Sequence, residues 1–318
     1  MCGYQPTFTI SAKSINLVSE ISSLVTKLSP QIDRMDLKLR RKNRVKSIQS
    51  SLEIEANSLT ENDVSAIIDG KIVMGPKRDI LEVQNAIEAY DLIEKMNPYS
   101  IQDLLKLHGI MMRGLVPDAG SFRENGVNVV NSLTKEIIHY GPHPDYVPRF
   151  IEELLEWSEK TDHHPLIVSC VFHHEFEFIH PFSDGNGRTG RLWQTLILSK
   201  WNPAFEWIPV ESIIRDRQKD YYSAIKAATD LNDTSPFIEF MLEAIKDTLC
   251  EISVPDQSLD DIILEKIAKG EYTNTSAVAE EMGLSEKTIR RHIASLKEQG
   301  LIVREGSDKT GRWIVREQ

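Results

Sequence analysis

A mainly α-helical chain, with one short β-hairpin and a C-terminal helix-turn-helix unit, is predicted by three observations. Apolar residues recur at spacings of three and four over most of the sequence. That periodicity breaks once, between Gly114 and Pro148, into clusters of β-branched residues. A polar, proline-containing stretch, SVPDQS at 253–258, then separates a tail with its own pattern.

The elements follow in order. Ile15, Leu17, Val18, Ile21, Leu24, Val25 and Leu28 mark a first helix, with Ser29-Pro30 expected to stop or restart it. The next helix opens with DRMDLKLRRKNRVK, where seven basic residues (Arg34, Lys38, Arg40, Arg41, Lys42, Arg44, Lys46) stand against two acidic ones. A solvated helix face is expected there, with nucleic-acid contact as the alternative. Arg78–Met96 is helix-periodic up to Asn97-Pro98, and Ser100 opens another helix through Met112. In GSFRENGVNVVNSLTKEIIHYGPHP, Val127, Val129 and Val130 face Ile137 and Ile138 across Asn131–Thr134, which predicts a short hairpin acting as a flap. Helices are expected again at Pro148–Lys160, His164–Ile179, Arg188–Lys200, Ile213–Ala228 and Pro236–Cys250.

Composition narrows the class. The chain has 318 residues, enough for two or three domains, and 41% hydrophobic with 27% charged residues is the balance of a folded globular protein. A net charge of −11 disfavours a polyanion binder except through a local patch. Cys2, Cys170 and Cys250 offer neither a disulfide framework nor zinc-ligand spacing, and together with the lack of a leader or an apolar span they lead to the expectation of a cytoplasmic protein with no membrane partner.

The densest chemistry lies in His180-Pro181-Phe182-Ser183-Asp184-Gly185-Asn186-Gly187-Arg188-Thr189-Gly190-Arg191. Pro181 drives His180 out of the right-handed α region, so the helix before it should end there with the imidazole at a loop edge. Gly185 and Gly187 permit positive φ, and the backbone N–H groups around Asn186 can converge into an anion nest at the next helix's N-terminus. Arg188 and Arg191 oppose that helix's dipole unless an anion is present, which points to a bound polyphosphate. Asp184, a lone carboxylate beside the nest, is a Mg²⁺ anchor in this reading. Gly185-x-Gly187-x-x-Gly190 matches the dinucleotide fingerprint formally, but helix-periodic residues precede it where a strand is required. Glu136/His139 and Glu177/His180 mimic di-iron spacing in the wrong elements. His173-His174 reads as a pair of hydrogen-bonded core residues.

HPFSDGNGRTGR resembles the Fic (Fido) family signature HxFx(D/E)GNGRxxR at every fixed position, and GSFRENGVNV and DYYSAI are similar to the same family. The resemblance spans roughly residues 55–250. It implies a Fic helical core with a β-hairpin flap that transfers AMP from ATP to a Ser, Thr or Tyr hydroxyl of a target protein, with Mg²⁺. His180 would then be the base, and Asp184 the metal ligand. Gly185, Asn186, Gly187, Arg188, Thr189, Gly190, Arg191 and Tyr222 would form the nucleotide site, with Arg191 on the γ-phosphate. Self-modification and a homodimer are partner options left open.

SLEIEANSLT, residues 51–60, resembles the family's inhibitory helix, (S/T)xxxE(G/N), through Ser51 and Glu55, although Ala56 replaces the usual Gly or Asn. A Glu55–Arg191 pair at about 4 Å would be worth roughly 4 kcal/mol before desolvation, enough for inhibition on the order of a hundredfold.

Residues 277–300 read as helix, turn at Met282-Gly283-Leu284, and a second helix capped by Ser285, followed by two β-rich runs. That order is similar to a winged helix. Lys287, Arg290, Arg291 and Lys297, with Lys309 and Arg312 in the wing, form a basic face, yet residues 259–318 carry ten Lys/Arg against eleven Asp/Glu. Both DNA binding and protein docking stay open. The expected organisation is an N-terminal helical region at 1–95, a Fic catalytic core at 96–252 and a winged helix at 256–318. The rival reading is a transcriptional regulator whose core senses a nucleotide.

Overall fold

In chain order the helices and strands are α1 (Ala12–Asp33), α2 (Leu37–Ile54), α3 (Glu61–Ile68), α4 (Lys77–Asp91), α5 (Ile101–Met111), β1 (Asn128–Val130), β2 (Ile137–Tyr140), α6 (Val147–Lys160), α7 (Pro165–Ile179), α8 (Asn186–Trp201), α9 (Val210–Asp216), α10 (Gln218–Leu231), α11 (Ser235–Ser253), α12 (Leu259–Ala268), α13 (Thr275–Glu281), α14 (Glu286–Glu298), β3 (Ile302–Glu305) and β4 (Arg312–Val315). The computed structural model describes residues 4–33, 37–131, 133–253, 259–272, 274–281, 285–305 and 312–316. Two compact units result, 1–253 and 254–318.

In the first unit α7 and α8 form the centre. Helix α7 is apolar on nearly every side, and Phe172, Phe176, Leu192, Trp193 and Leu196 are buried where it meets α8. Trp193 Nε1 donates to Pro98 O at 3.0 Å, so its one polar atom is satisfied in the core. Helix α1 lies along α11, and α2 packs against α9 and α4. The helices before residue 95 therefore share one packing unit with those after it, and the division expected there is one of sequence order.

Several elements differ from their sequence expectations. Helix α1 runs through Pro30 to Asp33, because Leu17, Ile21, Val25 and Leu28 are buried along it and that packing outweighs local propensity. The basic stretch in α2 is a solvated face only in part: Lys42 is exposed, Arg41 and Lys46 are half-buried, and the side chains of Arg34 and Lys38 lie outside the described residues. Arg44 is buried, its guanidinium 2.6 Å from Glu206 and stacked 4.7 Å above the Trp207 ring centroid, and Arg41 pairs with Asp69. The helix expected at 213–228 is two, α9 and α10, joined at Arg217, which reaches Asp247 on α11 at 2.6 Å. Helix α8 begins two residues earlier than expected, at Asn186.

Strands β1 and β2 pair antiparallel as the expected hairpin, with Val129 opposite His139 and a register shift after Val129. Val129 is buried, while Val130, Ile137 and Tyr140 are exposed.

The second unit packs α12, α13 and α14 with the antiparallel pair β3–β4 around Ile263, Ile267, Val278, Ile289, Ile293, Leu296 and Ile302. Ser285 caps α14 by accepting from Thr288 N. The turn at 282–284, Lys309 and the side chain of Arg312 lie outside the described residues. Among the described residues no helix is long and apolar enough to cross a membrane.

Candidate active site

Helix α7 stops at His180, whose backbone is left-handed (φ 50, ψ 63), as the clash with Pro181 requires it to leave the right-handed region. His180 Nδ1 lies 3.3 Å from Glu177 O, so the bonded tautomer carries its proton on Nδ1 and leaves Nε2 as the basic nitrogen. Burial pushes the imidazole down to about 4, the backbone bond to Glu177 opposing the shift. It is a neutral base at pH 7.

The loop beyond is fixed from within and without. Asn186 Oδ1 accepts from Phe182 N and its Nδ2 donates to Phe182 O, at 2.9 and 2.8 Å. Its side chain closes the loop and is not available to a phosphate. Phe182 stacks on His108, the rings parallel at 3.6 Å, and His108 Nε2 donates to Asp184 O while Nδ1 accepts from Gly120 N. His108 thus holds the loop, a role that sequence reading missed. Lying in the helix-periodic stretch before Met112, 72 residues upstream of His180, it gave no local signal.

Of Gly185, Gly187 and Gly190 only Gly185 has a positive φ (84), and a methyl group there would lie 2.5 Å from Met112 Sδ. Gly187, expected to share that conformation, is already helical. Its lack of a side chain serves close approach, since a methyl there would lie 2.3 Å from Glu55 Oε1. Gly190 is pressed against Phe176 and Glu177 of α7, so its smallness serves helix packing. Thr189 is fully buried in α8. Tyr222, on α10, is buried edge-to-face with Tyr221.

Both arginines of α8 meet carboxylates. Arg188 lies 3.2 Å from Glu82 Oε1 and 3.0 Å from Asp184 Oδ1. Arg191, its side chain 1% exposed, lies 2.8 Å from Glu55 Oε1 and also donates to Ser51 Oγ and Ser51 O. The structure therefore brings Ser51, Glu55 and Arg191 together. It does so without the helix expected over 51–60. Helix α2 ends at Ile54, and Asn57 N bonds to Leu52 O while Ala56 N bonds to Glu53 O, a Schellman turn. Ala56 occupies its left-handed position with φ 70. That is the site where glycine or asparagine avoids a Cβ penalty, which explains why the pattern prefers them there.

Asp184 Oδ1 also accepts from Gly185 N, and its Oδ2 accepts from Arg78 at 3.1 Å. With its side chain 42% exposed, this hard oxygen donor at the mouth of the nest suits a Mg²⁺ ion that takes its remaining ligands from phosphates and water. Glu177 is the buried acid that sequence reading left aside as a false di-iron match. Burial pushes it up to about 8, Arg191 opposing and Glu55 reinforcing the shift. Its Oε1 has no hydrogen-bond partner.

A helical core that presents a base, an anion nest and two buried arginines on one turn defines a class of phosphate-handling site. The Fic/DOC family model matches residues 98–198, and a DeoR-like helix-turn-helix domain matches 260–305. A crystal structure of a Fic family protein from Desulfovibrio desulfuricans G20 is 40% identical, covering 99% of each chain with a TM-score of 0.79. Fic-1 from C. elegans shares the fold at 21% identity over 75% of this chain and 72% of its own, TM-score 0.60. Among curated proteins, Protein adenylyltransferase Fic of Nematostella vectensis is 29% identical over 64% of this chain and 47% of its own length. The chain thus spans about half the length of the curated relatives it matches. It belongs to the Fic family, with a winged-helix unit at its C-terminal end.

Proposed function

We propose that this protein is a Mg²⁺-dependent adenylyltransferase that moves AMP from ATP to a Ser, Thr or Tyr hydroxyl of a target protein, and that Glu55 restrains it. The observation that carries the reading is the place of the Glu55 carboxylate, over the N-terminus of α8, against Gly187 and on Arg191. An anion is favoured there, and a carboxylate of the protein stands where a phosphate would bind.

His180 Nε2 accepts the proton of the incoming hydroxyl, whose oxygen bonds to the α-phosphorus as pyrophosphate departs with its electron pair. The N–H groups of Asn186, Gly187 and Arg188 cradle phosphate oxygens, and Arg188 supports them once Glu82 and Asp184 share it. Arg191 holds the γ-phosphate when Glu55 is withdrawn. Bound at Asp184, Mg²⁺ would neutralise charge on the polyphosphate. The names of the curated relatives support this activity, and the free thiols of Cys170 and Cys250 suit a reducing, cytoplasmic setting.

Incubation with α-labelled ATP and Mg²⁺ tests the reading, self-modification being scored with target modification. His180→Ala should cut labelling by about 10²- to 10⁴-fold while calorimetric ATP affinity stays nearly unchanged. Undiminished labelling by that variant would overturn the assignment. A second reading, regulation through DNA, is favoured by the DeoR-like match and by exposed Lys287, Arg290 and Arg291 on α14.

A further inference from the structure

Arg123 lies just before the hairpin, 3% exposed, in the GSFRENG run. Its partners are carbonyl oxygens from three segments. Nε donates to His180 O at 2.7 Å, NH1 to Asn125 O at 2.8 Å and NH2 to Pro142 O at 2.6 Å, with Ile179 O at 3.4 Å from NH2. Its own amide donates to Pro181 O at 3.0 Å. Three consecutive carbonyls at the end of α7 are thus bound by one residue, which also ties both stems of the β1–β2 hairpin. A methyl on Gly141 would lie 3.0 Å from the guanidinium, so the chain leaving the hairpin is bare where Arg123 passes. Among the described residues no carboxylate pairs with Arg123.

The guanidinium suits this task for two reasons. Its planar fork addresses several oxygens at once, which an ammonium cannot. Its charge also faces the carbonyl end of α7, where a cation is favoured. The residue it grips, His180, holds a left-handed backbone that a Cβ resists, so the placement of the imidazole depends on what fixes those carbonyls.

We propose that Arg123 is a positioning residue that locks the backbone of His180 to the β1–β2 hairpin, so that the base and the hairpin keep one fixed relation during transfer. The proposal rests on the adenylyltransferase reading for its kinetic consequence and on geometry alone for its structural one. Burial is the main cause of the low basicity of His180, and the Arg123 cation adds to it.

The test uses the full chain in a Glu55→Gly background. Arg123→Lys keeps the charge and loses the fork, and Arg123→Gln loses both. Arg123→Lys should lower kcat by about 10- to 100-fold, as expected for a small displacement of a reacting group, with ATP affinity within about twofold of the parent. In Arg123→Gln the backbone amide resonances of His180 and of the β1–β2 hairpin, which Arg123 joins through His180 O and Pro142 O, should shift together. A kcat equal to the parent's, or a fall in ATP affinity that matches the fall in kcat, would overturn the positioning role, as would unmoved backbone amide resonances at His180. If Arg123→Gln does not fold, the Arg123→Lys split decides. If the Glu55→Gly parent itself transfers nothing, the activity reading fails and the amide resonances alone decide the proposal.

Discussion

Glu55 Oε1 lies 2.8 Å from the Arg191 guanidinium, and the same oxygen covers Gly187 at the start of α8. One carboxylate therefore occupies both the cation and the helix N-terminus that a terminal phosphate would need. Arg191 is buried, and burial, the largest single influence, weakens its hold on the proton, but the attraction and hydrogen bond of Glu55 together with Tyr221 and Tyr222 outweigh it and raise its proton affinity. Glu55 itself is 28% exposed, so the partner able to leave is the carboxylate.

The turn that carries Glu55 holds a cost that sequence can remove. Ala56 sits at φ 70, and Ala56→Gly should relieve about 1 kcal/mol of left-handed strain. Denaturant unfolding should show that gain, and basal labelling should fall because the braked turn is favoured. No change in either would mean that the turn relaxes without penalty.

Glu177 gives a pH signature. Its folded affinity for protons lies above its unfolded one, with an ordinary value of 4.5 raised to about 8, mainly by burial. The native state then binds more protons than the unfolded chain between those values, and stability falls as pH rises through that window. Glu177→Gln should remove the slope and raise Tm at pH 8 relative to wild type by about 2 to 4 °C, with little effect at pH 4.5. Equal pH dependence of Tm in the two proteins would contradict a buried, protonated Glu177.

Asp184→Ala should weaken the Mg²⁺ dependence of nucleotide binding measured by calorimetry, because that ion commonly keeps one or two protein carboxylates beside phosphate and water. The same variant removes one of the two carboxylates held by Arg78 and Arg188, leaving Glu82, so metal-free affinity should hold or rise. An unaltered Mg²⁺ dependence would place the metal elsewhere.

On the second unit, Lys287→Glu with Arg291→Glu should abolish any low-salt duplex shift and flatten its salt slope. Absence of any shift with the wild-type protein would favour protein docking for this winged helix.

Much of the site was legible because its residues are contiguous. His180 to Arg191 sit on one turn, and proline, glycine and charge there each have a local meaning. Pairing of Ser51 and Glu55 with Arg191 could be expected only through the resemblance, since 136 residues separate Glu55 from its partner. Sequence spacing misread elements wherever packing decided. Pro30 stays in a helix because α1 is buried along α11, and Arg44 of the basic run turns inward because Trp207 and Glu206 receive it. His108 and Glu82 act on the His180–Arg191 loop from other elements with nothing in their own surroundings to distinguish them, whereas Arg123 lies in the GSFRENGVNV stretch that the resemblance marks, without a role assigned to it there.

If the Glu55–Arg191 pair restrains the protein, losing Glu55 should raise activity. Labelling by Glu55→Gly at saturating ATP should exceed wild type by about ten- to a hundredfold, equivalent to roughly 1.4 to 2.7 kcal/mol. The double variant Glu55→Gly with Arg191→Ala should lose that gain. A Glu55→Gly protein that binds ATP yet labels no faster than wild type would contradict the claim that Glu55 is the brake.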